Sequence, residues 1–451
     1  MANKRYDLIV IGTGSAGATA AHECRAAGWE VAVVDSRPYG GTCALRGCDP
    51  KKVLVGAAEL IDWHRRMEGR GVEGSDVRID WGALMQFKRT FTDPVPAQRE
   101  QSFAQAGIAT YHGPARFIDQ TALQVGPDTL TARVVVIATG AKPRDLGIPG
   151  AEHAATSERF LALDSLPQRI VFIGGGYISF EFAHIAARAG AEVAIVQRGE
   201  RPLKHFDPDL VAQLVDASRA VGIDVQLQTA VESIEQAGGS LLVHTTANGN
   251  RRSMAADLAV HGAGRVPEIE ALDLDAAGVQ WSAAGVRVNA YLQSVSNPAV
   301  YAAGDAAASN GPLLTPVAGA EGRVVAANLL NGNHRQPDYT ATPSVVFSIP
   351  PLASVGLLEE TASAQGLKFT ARRGDTSGWY SSRRTNEQHA GFKVLIEEDS
   401  GRILGAHLLG AHAEEVINVF ALAMRAGLRN TDLKAMLYTY PTRASDIQYM
   451  V

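Results

Sequence analysis

Two stretches of the chain share one pattern of apolar and small residues. Each begins with a short apolar run, in "YDLIVIG" (residues 6–12) and "RIVFIGG" (169–175), which stops at a cluster of glycines. A segment rich in small residues follows, and a second apolar run closes each unit, in "EVAVVD" (30–35) and "AEVAIVQ" (191–197). Short apolar runs bounded by glycine are typical of buried strands, and the longer segments between them are typical of helices. The pattern therefore predicts two strand–turn–helix–strand units.

The first glycine cluster has the spacing G-x-G-x-x-G, at Gly12, Gly14 and Gly17. The first glycine permits a tight turn, the second lets the backbone approach a pyrophosphate, and the third allows the helix to pack closely on the strand. Ser15 lies within the same turn. Asp35 ends the second strand, at about the spacing expected for a carboxylate that binds a ribose. We interpret this unit as a dinucleotide site.

The second unit repeats the turn with Gly174 and Gly176, but its second strand ends at Gln197 and not at an acidic residue. Arg198 follows directly, and Lys204 comes six residues later. An acidic residue at the strand end would repel a 2′-phosphate, whereas a neutral residue followed by cations attracts one. This pattern favours NADPH over NADH, although the same cations are also compatible with a solvated loop.

Two dinucleotide sites imply two dinucleotides, most simply FAD and NADPH, and a third group must then take the electrons onward. Cys43 and Cys48, in "GGTCALRGCDPKK" (40–52), are two of only three cysteines and are candidates for that group. Structural disulfides are rare in cytosolic proteins. A closed zinc site needs about four nitrogen or sulfur ligands, and no second group of cysteines or histidines lies near this stretch. A redox pair is favoured, with a structural staple and a metal clip left as alternatives.

Composition and charge narrow the function class. The chain has 451 residues, which predicts more than one domain because single cores rarely grow past about 250–300 residues. The formal net charge is −5 and there is no basic run, so no nucleic-acid partner is expected. No apolar stretch reaches about 18 residues and no signal peptide is recognisable, so we expect a cytoplasmic protein without a membrane partner.

The local sequence predicts the surroundings of the two cysteines. Asp49 suits the N-cap of a helix and Pro50 its first position, so Cys48 is expected just outside the helix N-terminus. The helix that follows has apolar residues at helical spacing, at Val53, Ala57, Leu60 and Ile61. The helix dipole and the two lysines of the motif favour a Cys48 thiolate, and Asp49 opposes it. Cys43 is expected in a loop, and Gly47 lets the chain bend back between the two sulfurs.

With these motifs the chain closely resembles the class I pyridine nucleotide–disulfide oxidoreductases, which include glutathione reductase, dihydrolipoyl dehydrogenase and mercuric reductase. "GGTCALRGCDPKK" is similar to the redox-active disulfide motif of that family. "VVVIATGAKPR", "GAGRVPE", "VYAAGDAAASNGPLLTPVAGAEGR" and "PSVVFSIPPLASVGLLEE" match its other landmarks in order. The resemblance implies an α/β fold with two Rossmann-like dinucleotide-binding domains and a C-terminal α+β dimerisation domain. The implied domains are FAD-binding (1–145 and 265–335), NAD(P)-binding (146–264) and dimerisation (336–451).

The resemblance also implies roles for single residues. Cys43 would attack the substrate, and Cys48 would form the thiolate beside the flavin. Lys51 or Lys52 would pair with Glu181, which lies on the NAD(P) helix. Hydride would pass from NADPH through FAD to a Cys43–Cys48 disulfide and on to an unknown acceptor.

The cofactor contacts carried over from the family fall into two sets. The FAD set comprises Gly12, Gly14, Ser15, Gly17, Asp35, Gly41, Thr42, Thr139, Gly140, Asp305 and Ala318. The NADPH set comprises Gly174, Gly176, Tyr177, Ile178, Arg198, Lys204 and Gly264. Within these sets, Tyr177 would cover the nicotinamide pocket, Asp305 would bind the sugar chain of the flavin, and Ala318 would border its ring. No metal site is expected.

The chain departs from the family at its C-terminal end. Disulfide reductases of the family carry His-Pro-Thr-x-x-Glu, whereas this chain reads "YTYPTRASD", with Tyr440 at the histidine position and Ser445 at the glutamate position. Histidine supplies and recovers a proton near neutral pH, whereas tyrosine, with a reference pKa of about 10, is a poor reversible base there. His22 stands where glutathione reductases carry an arginine. Oxidised glutathione is therefore expected to be a poor substrate.

Several functions remain open from the sequence. The first is an NADPH-dependent flavoprotein that acts on a small-molecule or protein disulfide or thiol acceptor of unusual chemistry. The second is a metal-ion or quinone reductase, since mercuric reductases also carry a tyrosine at the position of Tyr440; their C-terminal cysteine pair has no counterpart here. The third is a low-turnover flavoprotein component of an assembly. In each case the resemblance implies a homodimer, with Tyr440 facing Cys43 of the other subunit.

Overall fold

The computed structural model of the chain describes residues 3–74 and 76–451. These residues form two compact units. Unit 1 comprises the described residues up to Pro50 together with Phe87–Arg144 and Arg265–Tyr339. Unit 2 comprises Lys51–Gln86, Asp145–Gly264 and Thr340–Val451. No helix in the described part of the chain is both long and apolar enough to cross a membrane.

The chain up to residue 261 contains both helices and strands. The elements before residue 145 are β1 (Asn3–Ile11), α1 (Ser15–Ala26), β2 (Val31–Asp35), α2 (Gly41–Arg46), α3 (Cys48–Met67), α4 (Trp81–Thr92), α5 (Val95–Ala106), β3 (Ala109–His112), β4 (Ala115–Asp119), β5 (Ala122–Val125), β6 (Asp128–Ile137) and β7 (Ala141–Pro143). Those from 151 to 261 are a 3-10 helix (Ala151–His153), α6 (Ser157–Phe160), β8 (Arg169–Ile173), α7 (Tyr177–Arg188), β9 (Glu192–Val196), α8 (Pro208–Ala220), β10 (Ile223–Gln226), β11 (Thr229–Ala237), β12 (Ser240–Ala247), β13 (Asn250–Ala256) and β14 (Leu258–His261).

The remaining elements lie in the last two segments of the chain. Those from 265 to 331 are β15 (Arg265–Pro267), a 3-10 helix (Glu270–Leu272), β16 (Trp281–Ser282), β17 (Gly285–Val286), β18 (Val300–Ala302), a 3-10 helix (Gly304–Ala306) and α9 (Thr315–Asn331). Those from 344 to 450 are β19 (Ser344–Val346), β20 (Leu352–Gly356), α10 (Glu359–Ala364), β21 (Phe369–Asp375), α11 (Tyr380–Arg383), β22 (Gly391–Glu397), β23 (Ile403–Leu409), α12 (Ala413–Ala426), α13 (Asn430–Ala435), a 3-10 helix (Ala444–Asp446) and α14 (Ile447–Met450).

Unit 1 is organised around a seven-stranded sheet. The strand order is β3-β2-β1-β6-β5-β4, and β18 pairs with β6. β1 lies parallel to both β2 and β6, with Leu8 opposite Val31 and Val134. Leu8, Ile9 and Val10 are 0% exposed, because both faces of a parallel sheet are covered and its central strand has no solvent side. The central strand ends at Ile11, which places the glycine turn at the carboxyl end of the sheet.

Unit 2 contains a parallel sheet and two antiparallel ones. The parallel sheet has the order β10-β9-β8-β14, and β11, β12 and β13 form a three-stranded antiparallel sheet. β8 pairs with β9 in register Ile170 to Val193, so the second glycine turn also follows a buried central strand. The C-terminal segment forms a five-stranded sheet of order β19-β20-β23-β22-β21. Both predicted strand–turn–helix–strand units are present.

Candidate active site

The two cysteines of the motif lie on consecutive helices of different length. Cys43 is on the short helix α2, and Cys48 is the first residue of the 20-residue helix α3. The prediction of a loop at Cys43 was therefore wrong, and so was the prediction that the helix begins after Asp49. Pro50 is accommodated at the third position of α3 because backbone N–H groups in the first turn of a helix have no partner within the helix.

The buried face of α3 also differs from the predicted one. The buried apolar residues are Leu54, Val55, Ala58 and Ile61, whereas Leu60 is 64% exposed. The stripe correctly predicted a helix, and its member Ile61 is buried. The other buried residues differ from the predicted ones because two adjacent apolar stripes are compatible with helical spacing. Packing against the rest of unit 2 decides which of them is covered.

Both cysteines are free thiols that lie within hydrogen-bond range of each other. Cys48 Sγ is 3.6 Å from Thr315 Oγ1, the hydroxyl of the first residue of α9. The Cys43 thiol donates to Asp49 Oδ1 at 3.8 Å. The hydrogen bond to Cys48 and burial together raise the pKa of Cys43 above the ordinary value for a thiol, and the hydrogen bond with Thr315 works against them. The arrangement holds the two sulfurs next to each other with polar groups on either side.

Thr315 was not predicted from the sequence. It belongs to the stretch "LLTPVAG", in which a threonine followed by proline marks the start of a helix. That signal locates a helix N-terminus, but it does not show that the hydroxyl lies beside a cysteine 267 positions earlier in the chain. Asp49 was considered only for its charge and its N-cap propensity. Its hydrogen bond to Cys43 depends on the path of the chain between α2 and α3.

A buried ion pair lies in unit 2, on the N-terminal parts of α3 and α7. Lys51 Nζ is 2.7 Å from Glu181 Oε1, and the two side chains are 8% and 5% exposed. The Phe347 backbone N–H donates to the same oxygen at 2.9 Å, and Lys51 Nζ lies 4.2 Å from the centre of the Phe347 ring. Of the two lysines considered, Lys51 is thus the one that pairs with Glu181.

Lys52 points to a different set of acidic residues. Its Nζ is 3.5 Å from Glu59 Oε1 and 3.9 Å from Glu414 Oε1, and its side chain is 42% exposed. Burial raises the pKa of Glu59, and the Lys52 ammonium opposes that effect. The two adjacent lysines are therefore electrostatically distinct, one buried with a single partner and one at the surface between two carboxylates.

The residues predicted for FAD all lie in unit 1, around the carboxyl end of its sheet. Gly12 has φ +103°, and a Cβ there would lie 2.2 Å from the Ala138 carbonyl oxygen, so only glycine fits. Gly14 and Gly41 approach each other closely, since a Cβ on Gly41 would lie 2.5 Å from the Gly14 Cα. Ser15 and Gly17 open α1, and Thr42 follows Gly41 in α2. These backbone segments form a cradle of the kind that a pyrophosphate fits.

Two acidic residues predicted for FAD, Asp35 and Asp305, have different surroundings in unit 1. Asp35 Oδ2 accepts hydrogen bonds from the Thr13 backbone N–H at 2.9 Å and from its hydroxyl at 2.6 Å. Asp35 therefore holds the glycine turn as well as standing at the predicted ribose position. Burial raises the pKa of Asp305, and the Arg265 guanidinium opposes that shift. Asp305 lies in the 3-10 helix Gly304–Ala306, where a Cβ on Gly304 would be 3.3 Å from the Ala318 Cβ.

A buried polar atom without a partner lies in the same region. Thr139 Oγ1 makes no hydrogen bond within the described residues, although it is shielded from solvent. Thr139 and Gly140 connect β6 to β7, and the Thr139 backbone nitrogen lies 3.1 Å from the Cβ position of Gly12. Buried hydroxyls are normally hydrogen-bonded, so this one fits a bound polar group such as the ribityl or phosphate part of FAD. The cradle and the orphaned hydroxyl together fit the cofactor.

The residues predicted for NADPH lie in unit 2. Gly174 and Gly176 form the β8–α7 turn, Tyr177 and Ile178 begin α7, and Tyr177 is 50% exposed. A Cβ on Gly174 would lie 2.7 Å from the Ala263 Cα, next to Gly264.

The strand β9 leads directly into the loop that carries the predicted cations. Arg198 and Lys204 are exposed on this loop. The loop is held to the glycine turn because the Gly175 N–H donates to Gln197 Oε1 at 2.8 Å and the Leu203 N–H donates to the Gly175 carbonyl at 2.9 Å.

The C-terminal departures from the family also have structural counterparts. Tyr440 is 73% exposed, and no hydrogen bond of its side chain occurs within the described residues. Ser445 is 3% exposed and fixed in a turn, where its hydroxyl donates to the Thr442 carbonyl at 2.6 Å. In unit 1, His22 stacks on Phe103 with ring centres 5.2 Å apart, and burial lowers its pKa. His22 is therefore packed as an aromatic ring and is not poised as a cation.

Comparison with known proteins agrees with this geometry. Residues 6–322 match the pyridine nucleotide-disulphide oxidoreductases, and residues 342–451 match the dimerisation domain of the same family. A mercuric reductase from Staphylococcus aureus is 32% identical over 451 residues, which cover 98% of this chain and 81% of the relative. A glutathione reductase from Burkholderia cepacia is 32% identical over 449 residues, covering 98% of this chain and 97% of the relative.

One solved structure extends the comparison to the fold. The Cu(II) complex of the HOCl-induced flavoprotein disulfide reductase RclA from Escherichia coli matches with a TM-score of 0.89 and 27% identity, over 99% of both chains. The chain belongs to the pyridine nucleotide-disulphide oxidoreductases. The predicted family and fold class, with Rossmann-like domains and a C-terminal dimerisation domain, are confirmed. The protein is an FAD- and NADPH-dependent flavoprotein oxidoreductase of that family.

Proposed function

We propose that the protein transfers electrons from NADPH to a disulfide or sulfur-bound acceptor through Cys43 and Cys48. The observation that carries this proposal is the contact between the two thiols, with Thr315 beside Cys48. Two sulfurs at hydrogen-bond distance on consecutive helices need little movement to form and break an S–S bond. Cys43 is the residue that attacks the acceptor, and Cys48 is the residue that closes the disulfide.

The same proposal assigns the cofactor contacts and the domains. The FAD set lies around the carboxyl end of the seven-stranded sheet. It includes the Thr139 hydroxyl, which makes no hydrogen bond within the described residues, and the Asp305 carboxyl, whose pKa burial raises. FAD, when bound, accepts a hydride equivalent from NADPH and releases two electrons. Residues 1–145 and 265–335 form the FAD domain, 146–264 the NADPH domain and 336–451 the dimerisation domain. The buried Lys51–Glu181 pair fixes the start of α3 to α7.

The acceptor is a molecule whose reduction does not depend on a histidine. Tyr440 occupies the histidine position and Ser445 is committed to its own turn, so no imidazole–carboxylate pair is available there. Oxidised glutathione is a poor fit for a second reason, because the packed ring of His22 offers no positive charge to a glutathione carboxylate. A disulfide with an acidic leaving thiol meets the first condition, because its thiolate leaves without a proton.

A metal-ion reductase is the second candidate function. Relatives of this chain are named mercuric reductases, and the matching RclA structure is a Cu(II) complex. Thiolates bind soft metal ions strongly, and transfer of electrons to a metal requires no protonated leaving group. Under this proposal the metal ion is the substrate, bound at Cys43 and Cys48.

We also propose a cytoplasmic homodimer with shared active sites. The match of residues 342–451 to a dimerisation domain supports the dimer. In this homodimer the other subunit covers Tyr440, which is exposed in the single chain. Analytical ultracentrifugation of the FAD-loaded protein tests this proposal, and a fully active monomer would contradict it.

The function is tested by anaerobic titration with NADPH followed by a screen of acceptors. Wild type should gain two titratable thiols per chain on NADPH addition, whereas Cys43→Ser and Cys48→Ser should gain none. The acceptor screen then compares aromatic disulfides, alkyl disulfides, Cu(II), Hg(II) and quinones, with NADPH consumption as the readout. Cys24→Ser is the matched control, since Cys24 is 0% exposed and lies away from the pair in the hydrophobic core.

The outcomes separate the candidate functions. Turnover of disulfides that is lost in both cysteine variants supports the leading proposal, and turnover of metal ions alone supports the second. Turnover of quinones that survives in both variants would mean that the cysteines are not used. Negligible turnover of every acceptor, together with co-purification of a stoichiometric partner, would point to a component of an assembly.

A further inference from the structure

We propose that Asp49 is a catalytic residue, whose carboxylate receives the proton of the Cys43 thiol and delivers it to the thiolate that leaves the acceptor disulfide. The inference rests on the proposed function, because it requires that Cys43 attacks a disulfide. It names the group that replaces the missing histidine. That group lies in the same chain as Cys43 and beside it.

The geometry places Asp49 on the reacting atom. Its Oδ1 lies 3.8 Å from Cys43 Sγ and accepts the thiol proton, within the range of hydrogen bonds that involve sulfur. Asp49 is the second residue of α3 and Cys43 lies in α2, so the bend at Gly47 brings the carboxylate back over the sulfur. Asp49 is exposed, which leaves it open to a molecule that approaches Cys43 from solvent.

The other groups around the two sulfurs are unsuited to the task. Thr315 offers a hydroxyl, which does not ionise near neutral pH, and Cys48 is consumed when the disulfide forms. A phenol, which this chain carries at the family's histidine position, is a weak general base at pH 7, because the reference pKa of tyrosine is about 10. A carboxylate at hydrogen-bond distance meets the first requirement for a general base, which is that it reach the proton it moves.

The proposed step balances in atoms and charge. The Cys43 S–H proton moves to Asp49 as the Cys43 sulfur attacks one sulfur of the acceptor, R–S–S–R′. A Cys43–S–S–R bond forms, the acceptor S–S bond breaks, and R′–S⁻ leaves with the electron pair. Asp49 then gives its proton to R′–S⁻. Cys48, as a thiolate whose proton has gone to solvent, attacks Cys43, forms the Cys43–Cys48 disulfide and releases R–S⁻, which solvent protonates.

Asp49 acts in two parts of this step, removal of the Cys43 proton and protonation of the leaving thiolate. The acidities of the groups decide which part depends more on Asp49. Reference pKa values of an aspartic acid and a thiol differ by about 4–5 units, so a carboxylic acid is a strong proton donor to a thiolate, whereas a carboxylate is a weak proton acceptor from a thiol. The negative charge of Asp49 also contributes to the raised pKa of Cys43, so the proton stays on the sulfur until attack begins. Protonation of the leaving thiolate is therefore the part that depends more on Asp49.

The experiment uses two disulfides whose leaving thiols differ in acidity. NADPH-reduced wild type and Asp49→Asn are mixed with 2-hydroxyethyl disulfide, which releases an ordinary alkyl thiol, or with 5,5′-dithiobis(2-nitrobenzoate), which releases a much more acidic thiol. Single-turnover rates are followed by the oxidation of the enzyme thiols. Asp119→Asn is the matched control, since Asp119 is an exposed aspartate at the end of β4 in the same unit. FAD content and NADPH-driven thiol release are measured for each variant.

Asp49→Asn should lower the rate with 2-hydroxyethyl disulfide by about a hundredfold, the lower end of the range for loss of a general acid–base. The rate with the nitrobenzoate disulfide should fall by less than about fivefold, since an acidic thiolate leaves without a proton. The role of Asp49 would be overturned if Asp49→Asn changed the rates with both disulfides equally, or if this variant reacted faster than wild type with the alkyl disulfide. If wild type releases no thiols with NADPH, or reduces neither disulfide, the proposed function fails instead.

Discussion

Lys51 and Glu181 form a buried ion pair between the N-terminal parts of α3 and α7, with Nζ and Oε1 2.7 Å apart. Lys51 is the fourth residue of the helix that begins with Cys48, and Glu181 is the fifth residue of the helix that begins with Tyr177. The pair therefore ties the helix of a proposed redox cysteine to the helix of the proposed nicotinamide site. The charge of each residue is compensated by the other, and a backbone N–H adds a third contact.

The first prediction is that breaking this pair destabilises unit 2. Lys51→Met should lower the free energy of unfolding by about 3–5 kcal/mol, because it leaves the Glu181 carboxylate buried without its cation. Lys52→Met is the control, since Lys52 is half-exposed, and an exposed ion pair contributes less than about 1 kcal/mol. Urea unfolding of both variants checks the difference.

A double variant separates the pair from general packing at the site. Lys51→Met combined with Glu181→Leu removes both charges and should recover most of the stability lost in Lys51→Met. If Lys51→Met and Glu181→Leu, each made alone, lower the free energy of unfolding by no more than Lys52→Met does, the pair has no structural role. NADPH reduction of the flavin in the double variant then shows whether the charges also act on the chemistry.

Much of the fold could be predicted from the sequence, because the strongest signals were local. The end of β2 at Asp35 follows from the end of a buried apolar run. The turn at Gly12 follows because its backbone conformation requires glycine. The start of α3 was misplaced because Pro50 is tolerated at several positions of a first turn. The contacts of Cys43 with Asp49 and of Cys48 with Thr315 join residues whose proximity depends on tertiary folding, so periodicity and spacing could not indicate them.

Thr315 is predicted to stabilise the Cys48 thiolate. In a Cys43→Ser background, Thr315→Val should slow alkylation of Cys48 at pH 7 by about tenfold, because one hydroxyl hydrogen bond to the sulfur is lost, worth about 1.4 kcal/mol. Thr315→Ser keeps the hydroxyl and should restore the rate. The measurement reports Cys48 alone, since Cys24 is fully buried and burial raises its pKa to about 12. Equal alkylation rates in the valine and serine variants would exclude this contact.

Arg198 is predicted to select NADPH. Arg198→Glu should lower kcat/KM for NADPH by more than about tenfold, because a charge-assisted contact to a 2′-phosphate is worth about 1.5–3 kcal/mol and the new carboxylate repels it. Arg201→Glu is the control on the same loop, since Arg201 is already engaged with Glu360 at 3.4 Å. Steady-state kinetics with NADPH and NADH test both. A larger loss in the Arg201 variant would place the phosphate elsewhere.

His184 on α7 gives a prediction about pH. It is 0% exposed, its Nδ1 accepts from the Ile349 N–H at 3.2 Å, and its Nε2 lies 2.9 Å from Ser218 Oγ. Burial first and the Arg188 guanidinium second lower its pKa well below the ordinary 6.5. The folded state therefore needs a neutral ring. The stability it contributes is present above pH 6.5 and is lost as pH falls below that value.

The expected loss is about 1.4 kcal/mol per pH unit below about 6.5, since the unfolded chain binds a proton that the folded chain excludes. Urea unfolding at pH 7.5 and 5.5 should show this loss in wild type and less of it in His184→Gln. His205→Gln, at an exposed position, should keep the pH dependence of wild type. A pH dependence unchanged by His184→Gln would mean that the ring is protonated in the folded state.

The last prediction concerns the altered C-terminal dyad. Tyr440 is 73% exposed, so Tyr440→Phe should leave the free energy of unfolding within about 0.5 kcal/mol of wild type. If the hydroxyl donates a hydrogen bond to the acceptor, the same variant slows reoxidation of the reduced enzyme while NADPH still reduces the flavin at the wild-type rate. Stopped-flow measurement of the two half-reactions separates these effects. If Tyr440→Phe has the wild-type rate in both half-reactions, the Tyr440 ring only packs.

Restoring the family residues is expected to fail at Ser445. Its side chain is 3% exposed, donates to the Thr442 carbonyl at 2.6 Å and accepts from the Thr442 N–H at 3.2 Å. Ser445→Glu loses both hydrogen bonds and places a longer, charged group in that turn, at a cost of about 2 kcal/mol or more. Tyr440→His alone should then raise alkyl disulfide reduction more than Tyr440→His with Ser445→Glu, as measured at matched FAD content. A double variant that is both stable and more active would show that the turn adapts to the glutamate.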